Sequence, residues 1–277
     1  MFSELMMNTW IVATVVAVVG GIVGFFAVAR GSAFVAHALP QAGFAGAAGA
    51  SLLGINTLVG LFVFALLGAF GIATLARHGR HDVVTALGLV MMLALGALFL
   101  GFSSEYAPEV YSLIFGEVLG VARSEILPTI GLAVASIAVL ATISRPLLLS
   151  SILPEIGEAR GVSRYRVELM FLIVVALVTT MSVPVVGALL VFSLLIAPAA
   201  AARELTDRPH RAVVWSVAIA CCTVWLSIAV SYATNWPIGF FVGAFGVLAY
   251  LAGRIISPRR RTHRPGPQPA IAPVGRA

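Results

Sequence analysis

The chain is predicted to be an all-α, polytopic helical membrane protein with about 8–9 transmembrane helices, and three observations predict it. Of its 277 residues, 60% are hydrophobic and only 10% are charged. The apolar runs at 9–28, 57–75 and 83–101 each approach the ~20 residues an α-helix needs to cross ~30 Å of hydrocarbon. The positive charges are all arginine, since the chain contains no lysine, and they fall between apolar runs at every second boundary. The first two observations exclude soluble folds, and the third sets the threading.

Under that alternation the spans are 9–29, 33–54, 57–76, 83–102, 126–144, 167–183, 185–201, 211–232 and 236–256. The opening segment lacks the basic region of a secretory signal, so the first run is read as a retained span. The second is exceptionally rich in Gly and Ala from 42 to 50; small residues permit close helix packing, which places it inside the bundle. The stretch 111–121 is too short to cross, and is read as a re-entrant or interfacial piece whose backbone must be shielded from lipid. The fifth span closes at 144, just before Arg145. The sixth and seventh are short, and Pro184 with Gly187 between them predicts broken helices rather than a clean loop. The eighth and ninth flank the turn Asn235–Trp236–Pro237.

Arg30, then Arg77 and Arg80, then Arg145, Arg160, Arg164 and Arg166, then Arg203, Arg208 and Arg211, then the stretch from Arg254 onward mark boundaries expected to be cytoplasmic. Boundaries carrying Glu4, Asn56, 103–109 and Asn235–Trp236–Pro237 are expected to face outward, with Arg123 the basic exception. The expectation is a multi-pass protein of the cell membrane, its N-terminus outside and its C-terminus cytoplasmic.

The net charge of +6 is read as this orientation signal, with an anionic-lipid contact near Arg254, and not as a nucleic-acid surface. Residues 1–257 form one transmembrane domain. The Arg/Pro-rich tail 258–277 has too little apolar surface to fold and is expected to be disordered. Cys221 and Cys222 are neighbours in one apolar run, and successive helical side chains point too far apart for an unstrained disulfide.

A phosphate-binding loop of the Walker type needs a lysine, and none is present, so the chain carries no such nucleotide site. Ser182, Ser193, Ser227 and Ser231 lie in apolar runs without a histidine and acid spaced for a triad; helical serines by default bond their own backbone or a neighbouring helix. Ionisable residues at membrane depth are costly and functional by default. His37 leads these. It shares a helix face with Gln41, four residues on, and an imidazole nitrogen with an amide oxygen offers a polar site for a cation or hydrogen-bonding solute. The alternative is a histidine satisfied by a neighbouring helix's carbonyl. His78, His81 and Asp82 sit in an arginine-crowded loop and read as solvated. Glu117 in the short outward piece either attracts a cation at a vestibule or pairs with Arg123. Between Arg145 and Glu168, a proline and two acids early, then arginines late, suit a short helix on the membrane face ending at Gly161.

The residues then resemble a known family, the membrane permease subunit of the zinc/manganese-type metal-ion ABC importers. Val186–Gly187–Ala188–Leu189–Leu190–Val191 with Leu194–Leu195, Pro198–Ala199–Ala200 and Ala202–Arg203 is similar to its Val-Gly-x-Leu-Leu-Val, Leu-Leu, Pro-Ala-Ala pattern. The segment with Glu155, Glu158, Ala159, Gly161 and Val162 resembles its coupling helix, here about 153–165, and Phe115–Gly116–Glu117–Val118–Leu119 resembles its Phe-Gly-Asp-x-Leu. The family's second helix carries Asp-Ala-Leu-Ser-His, where this sequence reads His37–Ala38–Leu39–Pro40–Gln41. Aligned instead on His37, the acid position is Ala33; either way the carboxylate is lost.

The resemblance implies an ABC type II importer-like permease working as a homodimer, with a separate ATP-binding cassette ATPase on each coupling helix. An extracytoplasmic solute-binding protein would deliver the ion. It implies no cofactor in this chain, ATP being bound by the ATPase, and a substrate path through His37, Gln41 and Glu117 with His37 on the metal. A metal chelate or other small solute is the alternative cargo. An autonomous ion-coupled carrier would call for an acidic intramembrane relay or inverted repeats, and neither stands out in the sequence.

Overall fold

The computed structural model describes residues 4–75, 81–102, 114, 116, 121–152, 157 and 159–257. Among them nine α-helices follow one another: α1 (Glu4–Arg30), α2 (Ala33–Leu52), α3 (Thr57–Leu75), α4 (His81–Phe102), α5 (Arg123–Ile152), α6 (Arg164–Val186), α7 (Ala188–Leu205), α8 (Pro209–Thr234) and α9 (Ile238–Ile256). Each predicted span finds its helix. The 76–80 loop, most of the short piece 111–121, the start of the coupling segment and the tail 258–277 lie outside the described residues, as do Glu117, Glu155 and Glu158.

Three expectations need correction. The fifth span does not close at 144, because α5 is 30 residues long and continues through Arg145 and Pro146. An exposed arginine ends a lipid-facing stretch without breaking the hydrogen-bond ladder, and just beyond it Leu147 is wholly buried. The sixth and seventh spans are not short: α6 has 23 residues and α7 has 18. Their flanking arginines continue the helices, and the break between them is a single residue, Gly187, at φ 86° and ψ 146°, a conformation essentially restricted to glycine. The membrane-face helix does not reach 165. Gly157 and Ala159 are helical, but Gly161 at φ 74° ends the turn, and Ser163 caps α6 by accepting from the Arg166 N–H. The Val162 N–H donates to the Gly157 carbonyl at 3.0 Å, the six-to-one bond of a Schellman stop.

Eight of the nine helices are long and apolar enough to cross a membrane. The ninth, α2, is not, because His37, Pro40, Gln41 and a run of Gly and Ala dilute its hydropathy. Its place in the bundle explains how it survives. Every residue from 38 to 50 is buried, with α3, α4, α6 and α7 packed around it. α1 lies against α5, α6, α7 and α8, while α9 covers α7 and α8.

Lipid offers helices no hydrophobic reason to associate, so close backbone approach at small residues replaces it. A Cβ on Gly46 of α2 would collide with the Gly60 carbonyl of α3, and one on Gly24 of α1 with the Leu195 carbonyl of α7. Where α1 crosses α8, Ser216 donates from Oγ to the Gly21 carbonyl at 2.7 Å.

Two of the arginine boundaries, at Arg30 and Arg203, meet at one end of the bundle. There Arg203 donates from Nη1 to the Val28 carbonyl at 3.3 Å, and the Arg30 guanidinium lies 5.4 Å from the centroid of the Phe171 ring. Asn56 and Asn235 stand at two of the polar boundaries. Asn56 caps α3 by accepting from the Leu58 N–H at 2.9 Å, and Asn235, left-handed at φ 57°, closes α8 while Ser231 donates to the Trp236 carbonyl at 2.6 Å.

Candidate functional site

The candidate site is built on α2. His37 lies one turn into the helix, half-buried, with its ring edge-to-face against Phe192 of α7 at 5.0 Å between centroids. Its Nδ1 is enclosed and has no hydrogen-bond partner among the described residues. The neighbouring carbonyl that a merely structural histidine would use at that atom is therefore missing. Gln41, on the same face and 3% exposed, is enclosed more tightly still. Pro40 between them removes one helical N–H.

Sequence reasoning missed Thr179 and treated Ser182 as an ordinary helical serine. Hydroxyls in apolar helices commonly turn back to a carbonyl three or four residues earlier. Thr180 does so to Ala176 at 2.9 Å, and Ser227 to Thr223 at 2.7 Å. Thr179 Oγ1 and Ser182 Oγ do not; both are buried with no partner among the described residues. The Thr179 methyl meets α2 at Gly43, where an added Cβ would stand 3.4 Å from it. No sequence signal separates Thr179 from Thr180, because only the neighbouring helix's position decides which hydroxyl is deprived of a carbonyl.

The described coupling residues are not brought to α2. Ala159 and Gly161 are exposed and Val162 is half-buried against the core, all in the turn before α6 at the arginine-rich end. Gly116, beside the undescribed Glu117, has φ 83° and lies on the Val186 carbonyl. Gly116 is thereby placed at the α6–α7 break. Among the described residues no three of His, Cys, Asp and Glu gather.

The sequence pattern of the ABC 3 transport family matches residues 2–257. The chain belongs to that family. Among its curated relatives, the manganese import system permease protein ScaB of Streptococcus parasanguinis is 27% identical over 93% of this chain and 92% of its own. The high-affinity zinc uptake system membrane protein ZnuB of Haemophilus influenzae is 26% identical over 80% and 85%. Among solved structures, PsaBC from Streptococcus pneumoniae in complex with Fab contains a chain of the same fold, with TM-score 0.84 at 24% identity covering 94% of each. The ABC 3 bundle thus extends over the whole described chain, and α1 to α9 are its helices.

Proposed function

We propose that this chain is the membrane-spanning permease of an ATP-binding cassette importer for a divalent metal ion of the zinc or manganese class. Two copies would form the path. A separate ATPase binds ATP and grips the turn around Ala159, Gly161 and Val162, and an extracytoplasmic binding protein delivers the ion. The observation that carries this reading is the near full-length match to relatives named as manganese and zinc permeases. The arginine-rich end is then cytoplasmic, which agrees with the positive-inside rule, and the C-terminus emerges there.

The cargo passes His37, whose enclosed Nδ1 has no protein partner. Neutral imidazole suits zinc and other borderline metals better than a hard ion such as manganese, which prefers carboxylate. The absence of an acid at both 33 and 37 supports a second reading within the same architecture, a metal chelate whose ligands travel with it.

Radiometal uptake into vesicles carrying the reconstituted complex tests both. Native chain should accumulate zinc in an ATP-dependent manner and His37→Ala should lose most of it. Equal zinc and manganese uptake by both proteins would make His37 a packing residue. Uptake of a chelated metal alone would select the second reading.

A further inference from the structure

Among the described residues every arginine but one is exposed, and the exception is Arg30 at the end of α1. Its Nε and Nη1 are enclosed and have no hydrogen-bond partner among the described residues. The guanidinium lies over Phe171 of α6, a ring that is itself buried. An arginine at the end of a membrane helix ordinarily lays its stem on apolar surface and keeps its charge in water. Arg30 turns the charge inward instead, where a cation is costly and functional by default. Two counts place it on the inner side of His37. Along the chain, only Gly31 and Ser32 separate α1 from α2, and His37 is one turn into α2. Across the bundle, α2 and α6 run in the same sense and meet where Thr179 faces Gly43. Eight residues back along each helix, Phe171 falls beside Val35, about 3 Å before His37 at ~1.5 Å per residue.

We propose that Arg30 is the electrostatic barrier at the inner end of the path, its guanidinium repelling a divalent cation at His37 until α6 draws it aside. The inference rests on reading the chain as a divalent-metal permease. The groups that act on the guanidinium sit together near the start of α6: Phe171 carries it, the Glu168 carboxylate attracts it and Arg164 repels it. α6 begins at Arg164, directly after the turn that stops at Gly161 and is capped by Ser163. An ATPase moving that turn therefore moves Glu168 and Phe171 through a single helix, and Arg30 with them. The field is large enough to matter. At ~10 Å and an effective dielectric constant of ~20, a unit positive charge lowers the occupancy of a divalent cation on the order of a hundredfold. Glu168 offsets part of this, which leaves the barrier adjustable by a small shift of α6.

The test uses the full-length chain in liposomes that trap a zinc-sensitive fluorophore, with zinc added outside and no ATP. Native chain and Arg30→Lys, which keeps the charge, should hold zinc out. Arg30→Gln should admit it about tenfold faster or more, while sorbitol, a neutral solute followed by light scattering, enters no faster than through the native chain. If Arg30→Gln fails to fold, Arg30→Met, whose unbranched stem can still lie on Phe171, is measured instead. Glu168→Gln should act with the opposite sign: it leaves the guanidinium less neutralised, so the vesicles stay closed to zinc and ATP-driven uptake by the assembled complex slows. Equal leaks through Arg30→Lys and Arg30→Gln, sorbitol entering along with zinc, or a leak through Glu168→Gln overturns the barrier. So does an Arg30→Gln chain as tight as native when the native complex accumulates zinc with ATP, and the permease reading then stands without it. A native complex that accumulates no zinc removes the permease reading and the barrier together.

Discussion

Replacing Gly46 with alanine tests whether close backbone approach holds α2 in place. A Cβ there would overlap the Gly60 oxygen, stand 2.7 Å from the Gly60 carbonyl carbon and 2.5 Å from the Phe64 Cβ. These neighbours are backbone or the root of a side chain, so no rotamer change relieves them. Restoring ordinary contact at ~3.5 Å requires α2 and α3 to part by about 1 Å, and a radial gap of that size forfeits a quarter to a half of the attraction along the seam. Overpacking of this kind costs about 1–3 kcal/mol. At ~2–4 °C per kcal/mol for a chain of this size, Tm should fall by about 2–12 °C. Gly71 on α3 is the internal control, since an added Cβ there meets nothing within 4 Å. Alanine at that site limits only the unfolded chain and should stabilise by about 0.4–1 kcal/mol. Both variants are compared by thermal unfolding in detergent, followed by circular dichroism. Opposite shifts support the reasoning; an unchanged Tm for Gly46→Ala beside a lowered one for Gly71→Ala refutes it.

Gly187→Ala places a side chain at φ 86° and ψ 146°, a strain of about 1–3 kcal/mol; solute uptake should fall while membrane insertion, read by cysteine accessibility at both ends, is retained. Gly161→Ala meets no neighbour within 4 Å but sits at φ 74°, at a strain of about 1–2 kcal/mol. The turn should loosen without unfolding the bundle, giving lower uptake per ATP hydrolysed with Tm lowered by no more than about 2–8 °C, and unchanged coupling would remove this turn from the ATPase contact. Ser216→Ala removes the 2.7 Å bond to the Gly21 carbonyl at the α1–α8 crossing. Interhelical bonds in membranes average about 0.6 kcal/mol and reach about 1.7, so a Tm drop beyond about 7 °C would show that packing and not the bond alone had been lost.

The bundle was legible because a bilayer leaves the backbone few choices. Within hydrocarbon every N–H must be satisfied inside its own helix, so the apolar runs and the arginine rhythm nearly suffice to place α1 to α9. The misjudged ends share one cause. Arg145, Arg164 and Arg203 lie within helices, because arginine marks where hydrocarbon ends and says little about where the hydrogen-bond ladder does. Glycine was the better guide to chain direction: Gly161 and Gly187 were read as a stop and a break, and both hold left-handed φ values.

The polar core was legible only by half, and the reason lies in how α2 is enclosed. A helix carrying His37, Pro40 and Gln41 is too polar for lipid, so a sequence can announce that it is surrounded. It cannot announce by what. Whether His37 Nδ1 meets a carbonyl depends on α7 presenting the Phe192 ring there, and whether Thr179 is orphaned depends on α2 approaching at Gly43. Such approach is set by glycines on one helix and carbonyls on another, which no local pattern records. Buried polar atoms without partners are expensive in proportion to the dryness of their surroundings. Three of the enclosed atoms without a partner among the described residues are His37 Nδ1, Thr179 Oγ1 and Ser182 Oγ, and alanine or valine at 179 and 182 would remove two of them.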